Sequence, residues 1–354
     1  MKRRTFIQRA AVIGAVPKTL LRSKTIAPAA PPGEGKVLSA YYLRAHMYTI
    51  VPRQVREDME WMAGVGTQNV CVSLLEQDLF AAVENVNIII AEAKRAGMQV
   101  LGVPTRLAGV YAGAPKVPSL WLSTRPHFWA KRPDGNPQVS TVNGPRGGML
   151  YPEVEAFIGD TLLEMAQTWP EIPGYIWDEP KYGAPDYSER TRELLGADFT
   201  REQWLEAATE VQSRINERFV AAHPDKQLHL FAYAHLEDYA VEAFVSVRGL
   251  TSVGCDGRPW HDADSGQTDG GEGKTLLGNG ERFLEAAHRN GKRALWLIEN
   301  HNIRMQDLEL MDRQLPQVIA APVDHLIYYY YPRNVVDPDR AMGIIKRHVS
   351  GFGR

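Results

Sequence analysis

From residue 37 onward the chain alternates short apolar runs, rich in β-branched and aromatic residues, with longer stretches whose apolar positions recur every three or four residues. The first pattern predicts strands and the second amphipathic helices. Strands are predicted at residues 37–43, 69–74, 99–104, 174–177, 228–233, 250–255, 294–298 and 325–330. Helices are predicted between them, at residues 53–63, 80–96, 154–168, 201–222, 238–247, 281–289, 306–319 and 339–349. Gly64, Gly97 and Gly291 mark helix stops, because glycine takes the left-handed backbone that ends a helix. Pro338 opens the last helix.

This strict βα alternation predicts an α/β fold, a single (β/α)8 TIM barrel spanning residues 34–354. An open dinucleotide-binding sheet is disfavoured, since no Gly-x-Gly-x-x-Gly follows the first strand. Two connections are too long to be simple links, at residues 106–150 and 256–279. Both follow strand C-termini, the face on which barrel enzymes build their sites.

Composition narrows the partners. The 354 residues carry a formal net charge of -2, which gives no basic field for a phosphate backbone, so no nucleic-acid partner is expected. No apolar run is long enough for a membrane span. The two cysteines, Cys71 and Cys255, exclude a disulfide scaffold and a cysteine-rich zinc site. Both fall in or at strands and read as core. No Gly-x-Ser-x-Gly elbow is present. Oligomeric state is left open.

The first 33 residues read as something other than fold. Lys2-Arg3-Arg4-Thr5-Phe6-Ile7-Gln8 resembles a twin-arginine export signal. An apolar stretch from Ala10 to Val16 and a small-residue cleavage point at Ala27-Pro28-Ala29 fit the same reading. It implies a periplasmic or secreted protein.

The chemistry concentrates at strand ends. The fourth strand runs into Trp177-Asp178-Glu179-Pro180, and the seventh into Trp296-Leu297-Ile298-Glu299-Asn300-His301. Adjacent carboxylates at a barrel mouth repel each other and lose solvent, so one of them should hold its proton near neutral pH. Glu179 is the expected proton donor. A second carboxylate, Glu299, across the mouth completes the pair that glycoside hydrolysis needs. Tyr42, Arg44, His46, Trp177, Tyr233, His235, Asp256, Trp260, Trp296, His301 and Tyr329 are the expected sugar contacts, with rings stacking on apolar sugar faces and polar groups binding hydroxyls.

A Glu followed by Pro at the end of strand four, with a second Glu at the end of strand seven, resembles the clan A glycoside hydrolases. That resemblance implies a carbohydrate substrate, with Glu179 as acid/base and Glu299 as nucleophile or base. The clan usually carries Asn before the acid, where this chain has Asp178. An Asp-Glu pair instead resembles the β-N-acetylhexosaminidases, which implies that Asp178 orients an acetamido group that itself attacks. Two rivals stand beside these hydrolases. One is a metal-dependent sugar isomerase or epimerase using Glu179, His235, Asp256 and Glu299, and the other is a non-catalytic carbohydrate-binding barrel. The chain offers no tight His-x-x-Glu ligand pair, so no metal and no cofactor are expected.

Overall fold

The computed structural model describes residues 35–42, 50–264 and 273–352. The expected export signal and linker fall outside the described residues, as do Arg44 and His46.

Eight parallel strands close into a barrel, each pairing with the next in sequence. They are β1 (Val37–Tyr42), β2 (Asn69–Leu74), β3 (Gln99–Pro104), β4 (Gly174–Asp178), β5 (Gln227–Tyr233), β6 (Ser252–His261), β7 (Arg293–Ile298) and β8 (His325–Tyr330). Pairing of Val37–Tyr42 with His325–Tyr330 joins first strand to last and completes the circle. The outer layer contains α1 (Pro52–Val65), α2 (Val83–Arg95), α3 (Pro152–Thr168), α4 (Arg201–Ala222), α5 (Asp238–Ser246), α6 (Glu281–Arg289), α7 (Met305–Ala320) and α8 (Pro338–Val349). No helix among the described residues is long and apolar enough to cross a membrane.

The predicted elements are present, with three local differences. The helix expected at residues 80–96 is a short turn, Asp78–Ala81, followed by α2, and the break falls at Ala82, whose φ is -140°. Helix α1 runs through Gly64 and stops at Gly66, whose φ of 95° lets its N–H reach the carbonyls of Met62 and Ala63. Strand β6 extends well past Cys255, because Thr275–Leu277 returns to pair with its outer end. The loop expected from residue 256 is therefore strand for its first residues.

Alternation along the strands sorts side chains into two layers. Tyr41, Cys71, Leu101, Val103, Ile176, Phe231, Leu295, Leu297 and Ile327 form the plug inside the barrel. A larger cluster fills the space between strands and helices, and it includes Tyr42, Trp177, Cys255, Trp260, Trp296, Tyr328 and Tyr330. Both cysteines are free, one in each layer. Below the plug, at the strand N-termini, a cavity of about 470 Å³ is lined by polar groups including Asn69, His229, Ser252, Arg293 and His325. His229 Nδ1 is 2.7 Å from Ser252 Oγ, and His325 Nε2 is 2.7 Å from Ser39 Oγ. The carboxylates of the predicted site lie at the opposite, C-terminal end.

Candidate active site

The mouth of the barrel is where the backbone is strained. Among the described residues, six non-glycine residues have positive φ: Arg106, Ala108, Glu179, Asn302, Tyr331 and Asn334. All follow the C-terminal ends of β3, β4, β7 or β8. Such conformations cost on the order of 1–3 kcal/mol each and persist where the surroundings over-determine them, often at working sites. Glu179, with φ 38°, is the sharpest case. Its N–H bonds to Phe231 O at 2.9 Å, while the preceding Asp178 O accepts from Ala112 N at 2.8 Å. Strand β5 and the loop after β3 thereby hold the turn that aims the Glu179 carboxylate over the barrel axis.

Glu179, Asp256 and Glu299 converge there, each offering an oxygen within 4.8 Å of the others. Strands β4, β6 and β7 deliver them, and Glu299 N bonds to Gly257 O at 2.9 Å. Between the three sits the ammonium of Lys274, 2.7 Å from Glu179 Oε1, 2.9 Å from Asp256 Oδ2 and 2.6 Å from Glu299 Oε1. Lys274 arrives on the segment that pairs with β6, held by the bond from Arg258 N to Lys274 O at 2.8 Å. Gly273 before it has φ 73° and lies close against His235, so a side chain there would be strained. A second ammonium, Lys181, is 2.9 Å from Glu179 Oε2 and bonds Tyr233 Oη. Both ammoniums also lie over the Tyr233 ring, at 4.6 and 4.7 Å from its centroid.

These contacts set the protonation pattern. Burial favours the neutral form of Glu179, but Lys274 and Lys181 outweigh it and hold the carboxyl well below its usual range. Glu299 is likewise lowered, its burial outweighed by Lys274, His301 and Arg258. Asp256 goes the other way. Burial, with Glu179 adding repulsion, raises it well above the carboxylate range. Asp178 is pushed up to about 6 by burial and by its charged neighbour Glu179, despite a 2.9 Å bond from Tyr41 Oη. Of the two adjacent carboxylates it is therefore Asp178, not Glu179, that is raised towards neutral pH. Two ammonium groups hold Glu179 low in this state.

The remaining predicted contacts divide by the direction of their side chains. Tyr233, Asp256, His301 and Tyr329 stand at the mouth. His301 Nε2 is 3.9 Å from Glu299 Oε1, its ring meets Tyr329 edge-on at 5.2 Å, and burial lowers it to about 4. His235 is exposed at the rim near Lys274, Glu179 and Glu299.

Tyr42, Trp177, Trp260 and Trp296 are corrected from sugar contacts to core residues, since they face the helix layer. Tyr42 Oη donates to Asp58 at 2.7 Å. The Trp177 indole donates to Asn216 at 2.9 Å and stacks on Tyr111 at 4.4 Å, and Trp296 donates to Gly280 O at 3.1 Å. Trp260 is only 2% exposed, because the register of β6 shifts between Arg258 and His261 and carries its ring into the outer cluster.

Sequence reasoning missed Lys274, Lys181 and Tyr41. The available signal for Lys274 was a lone lysine between Gly273 and the apolar run Thr275-Leu276-Leu277, inside a loop following a barrel strand.

No family model and no curated protein matches the chain. Solved structures do resemble its fold. One is a β-galactosidase from the psychrophilic Marinomonas ef1, with TM-score 0.62 and 13% identity over 88% of this chain. The chain spans 59% of that enzyme's length. A β-amylase catalytic domain from Paenibacillus polymyxa has TM-score 0.60 and 9% identity, covering 90% of this chain and 98% of its own. A β-N-acetylhexosaminidase from Bacteroides fragilis has TM-score 0.56 and 10% identity, covering 90% of this chain and 66% of its own.

Proposed function

We propose that this protein is a glycoside hydrolase in which Glu299 attacks the anomeric carbon and Glu179 protonates the departing oxygen. One observation carries the reading: the two carboxylates, from β4 and β7, bring oxygens within 4.8 Å of each other at the barrel mouth. Double displacement uses carboxyl groups about 5–5.5 Å apart, whereas direct attack by water needs roughly 6.5–9.5 Å. The short spacing therefore favours retention of configuration. The fold's likeness to carbohydrate-cleaving enzymes fits the same substrate class.

In this scheme a sugar entering between Glu179 and Glu299 displaces the Lys274 ammonium. Glu179 then loses its strongest cation, its pKa rises, and it takes a proton from Asp256, whose oxygen lies within 4.8 Å. The leaving oxygen receives that proton as Glu299 forms the glycosyl ester, and Glu179 afterwards draws a proton from water to release the sugar. A metal-dependent isomerase is less well supported, because Lys274 supplies the countercharge that a divalent ion would bring to the same three carboxylates. One feature favours a second hydrolytic reading. Tyr41 fixes Asp178 beside Glu179, as substrate assistance by an acetamido group would require.

Three variants test both. Glu179→Gln should cost about 10²–10⁴ in rate on an unactivated glycoside, and less on an aryl glycoside whose leaving oxygen needs little protonation. Glu299→Gln should be crippled on both substrates. Asp178→Asn should abolish cleavage of N-acetylated sugars if the substrate assists, and otherwise only weaken turnover. Wild-type turnover of an unactivated glycoside by Glu179→Gln would overturn the proposal.

A further inference from the structure

The charges around the mouth do not balance. Among the described residues, Lys181, Lys274 and Arg258 have carboxylate partners at the site, in Glu179, Asp256 and Glu299. Three more cations gather on the β3 and β8 side, and none of them forms an ion pair with a described residue, although the buried Arg106 feels the charges of Asp178 and Glu179. Arg106, at the end of β3, donates to Pro115 O at 2.9 Å and to Gly113 O at 2.8 Å. Arg333, beyond β8, donates to Ala114 O at 3.4 Å. Lys116 follows on the same short segment. Residues 113–115 are thus gripped by two guanidinium groups from the ends of two different strands, and the third cation sits directly beside them.

The carbonyl that Arg333 touches is a dipole and cancels none of its charge. Arg106 is buried, while Arg333 and Lys116 are exposed and open to a ligand. Loss of hydration, with repulsion from Arg333 and Arg106, lowers Lys116 to about 8, and Lys116 also feels the charges of Glu179 and Lys181. The cluster therefore borders the carboxylate proposed as proton donor. Holding unpaired like charges together costs free energy that an incoming anion would recover.

We propose that the substrate is an acidic glycan, whose anionic group, the carboxylate of a uronate or a sulfate ester, docks between Arg333 and Lys116 beside Glu179. Arg333 presents a planar fork that suits either oxyanion, and Lys116 adds a point charge. A neutral sugar would leave Arg333 and Lys116 without a counter-charge. The inference rests on the glycosidase reading for its mechanism, but anion recognition can be measured separately.

The experiment pairs turnover with binding. Turnover of wild-type protein is compared on three matched aryl glycosides: neutral, uronate-bearing and sulfate-bearing. Binding of the corresponding oligosaccharides to Glu179→Gln is measured by calorimetry. One acidic series should be preferred, and which one identifies the oxyanion. In Arg333→Gln and in Lys116→Gln the acidic-to-neutral ratio of kcat/KM should fall about tenfold to a hundredfold, the worth of a charge-assisted hydrogen bond. Arg333→Lys should recover part of that loss, which a merely misfolded loop would not allow. Cleavage of the neutral glycoside as fast as both acidic ones would overturn the inference and leave the hydrolase standing. An acidic oligosaccharide that binds but is never cleaved would sink the hydrolase reading and leave the anion site. Absence of both binding and cleavage of either acidic series would overturn the inference.

Discussion

Replacing Lys274 by Met removes the only cation that touches all three site carboxylates among the described residues. Its contacts to Glu179 and Glu299, at 2.7 and 2.6 Å, are worth about 6 kcal/mol each at an effective dielectric near 20. Desolvating the charges offsets most of this, and truncating one partner of a buried pair typically costs about 3–5 kcal/mol. For a barrel of this size that corresponds to a fall in Tm of about 5–8 °C.

The loss should depend on pH. In the wild type both glutamates titrate below their unfolded values, so the stabilisation is in place above about pH 4.5 and fades as pH falls through the lowered folded values. In Lys274→Met the two buried carboxylates face each other with less compensation, and their folded pKa values rise. Groups raised in this way destabilise the protein as pH climbs past about 4.5, where the unfolded chain ionises freely. The gap between variant and wild type should therefore be smaller at pH 4 than at pH 8. Thermal unfolding at pH 4, 6 and 8 measures it, and Lys274→Arg, which keeps the charge, should lose less. An equal deficit at pH 4 and pH 8 would show that Lys274 contributes packing and not charge.

Other consequences follow from residues outside the mouth. Burial lowers His229 from 6.5 to about 3 and depresses His325 as well, so both are neutral in the folded barrel. Their contribution to stability is complete above pH 6.5 and should fall by up to about 1.4 kcal/mol per pH unit per histidine as pH drops towards the folded values. Denaturant unfolding at pH 7 and pH 5 should show a shallower decline for His229→Gln, and an unchanged slope would contradict the assignment. The Arg3-Arg4 motif predicts that a double lysine replacement retains the protein in the cytoplasm with its N-terminus intact, as fractionation and mass measurement would reveal. Undiminished export of that variant would refute the signal.

The sequence alone determined the barrel, because each strand and helix carries its own periodicity and their order admits few other folds. It also placed Asp178, Glu179 and Glu299 at the mouth, since a carboxylate just beyond a strand C-terminus has nowhere else to go in this architecture. What it left undecided was direction and partnership. Trp177 and Trp296 lie one residue out of phase with the inward-facing positions, and only the closed barrel assigns that phase to the helix side. The protonation of Glu179 was undecided for a related reason. It depends on Lys274, which lies 95 residues away in sequence and reaches the carboxylates only because Thr275–Leu277 pairs with β6. A buried charge is governed by whichever partner the fold brings within about 3 Å, and no local pattern records that choice.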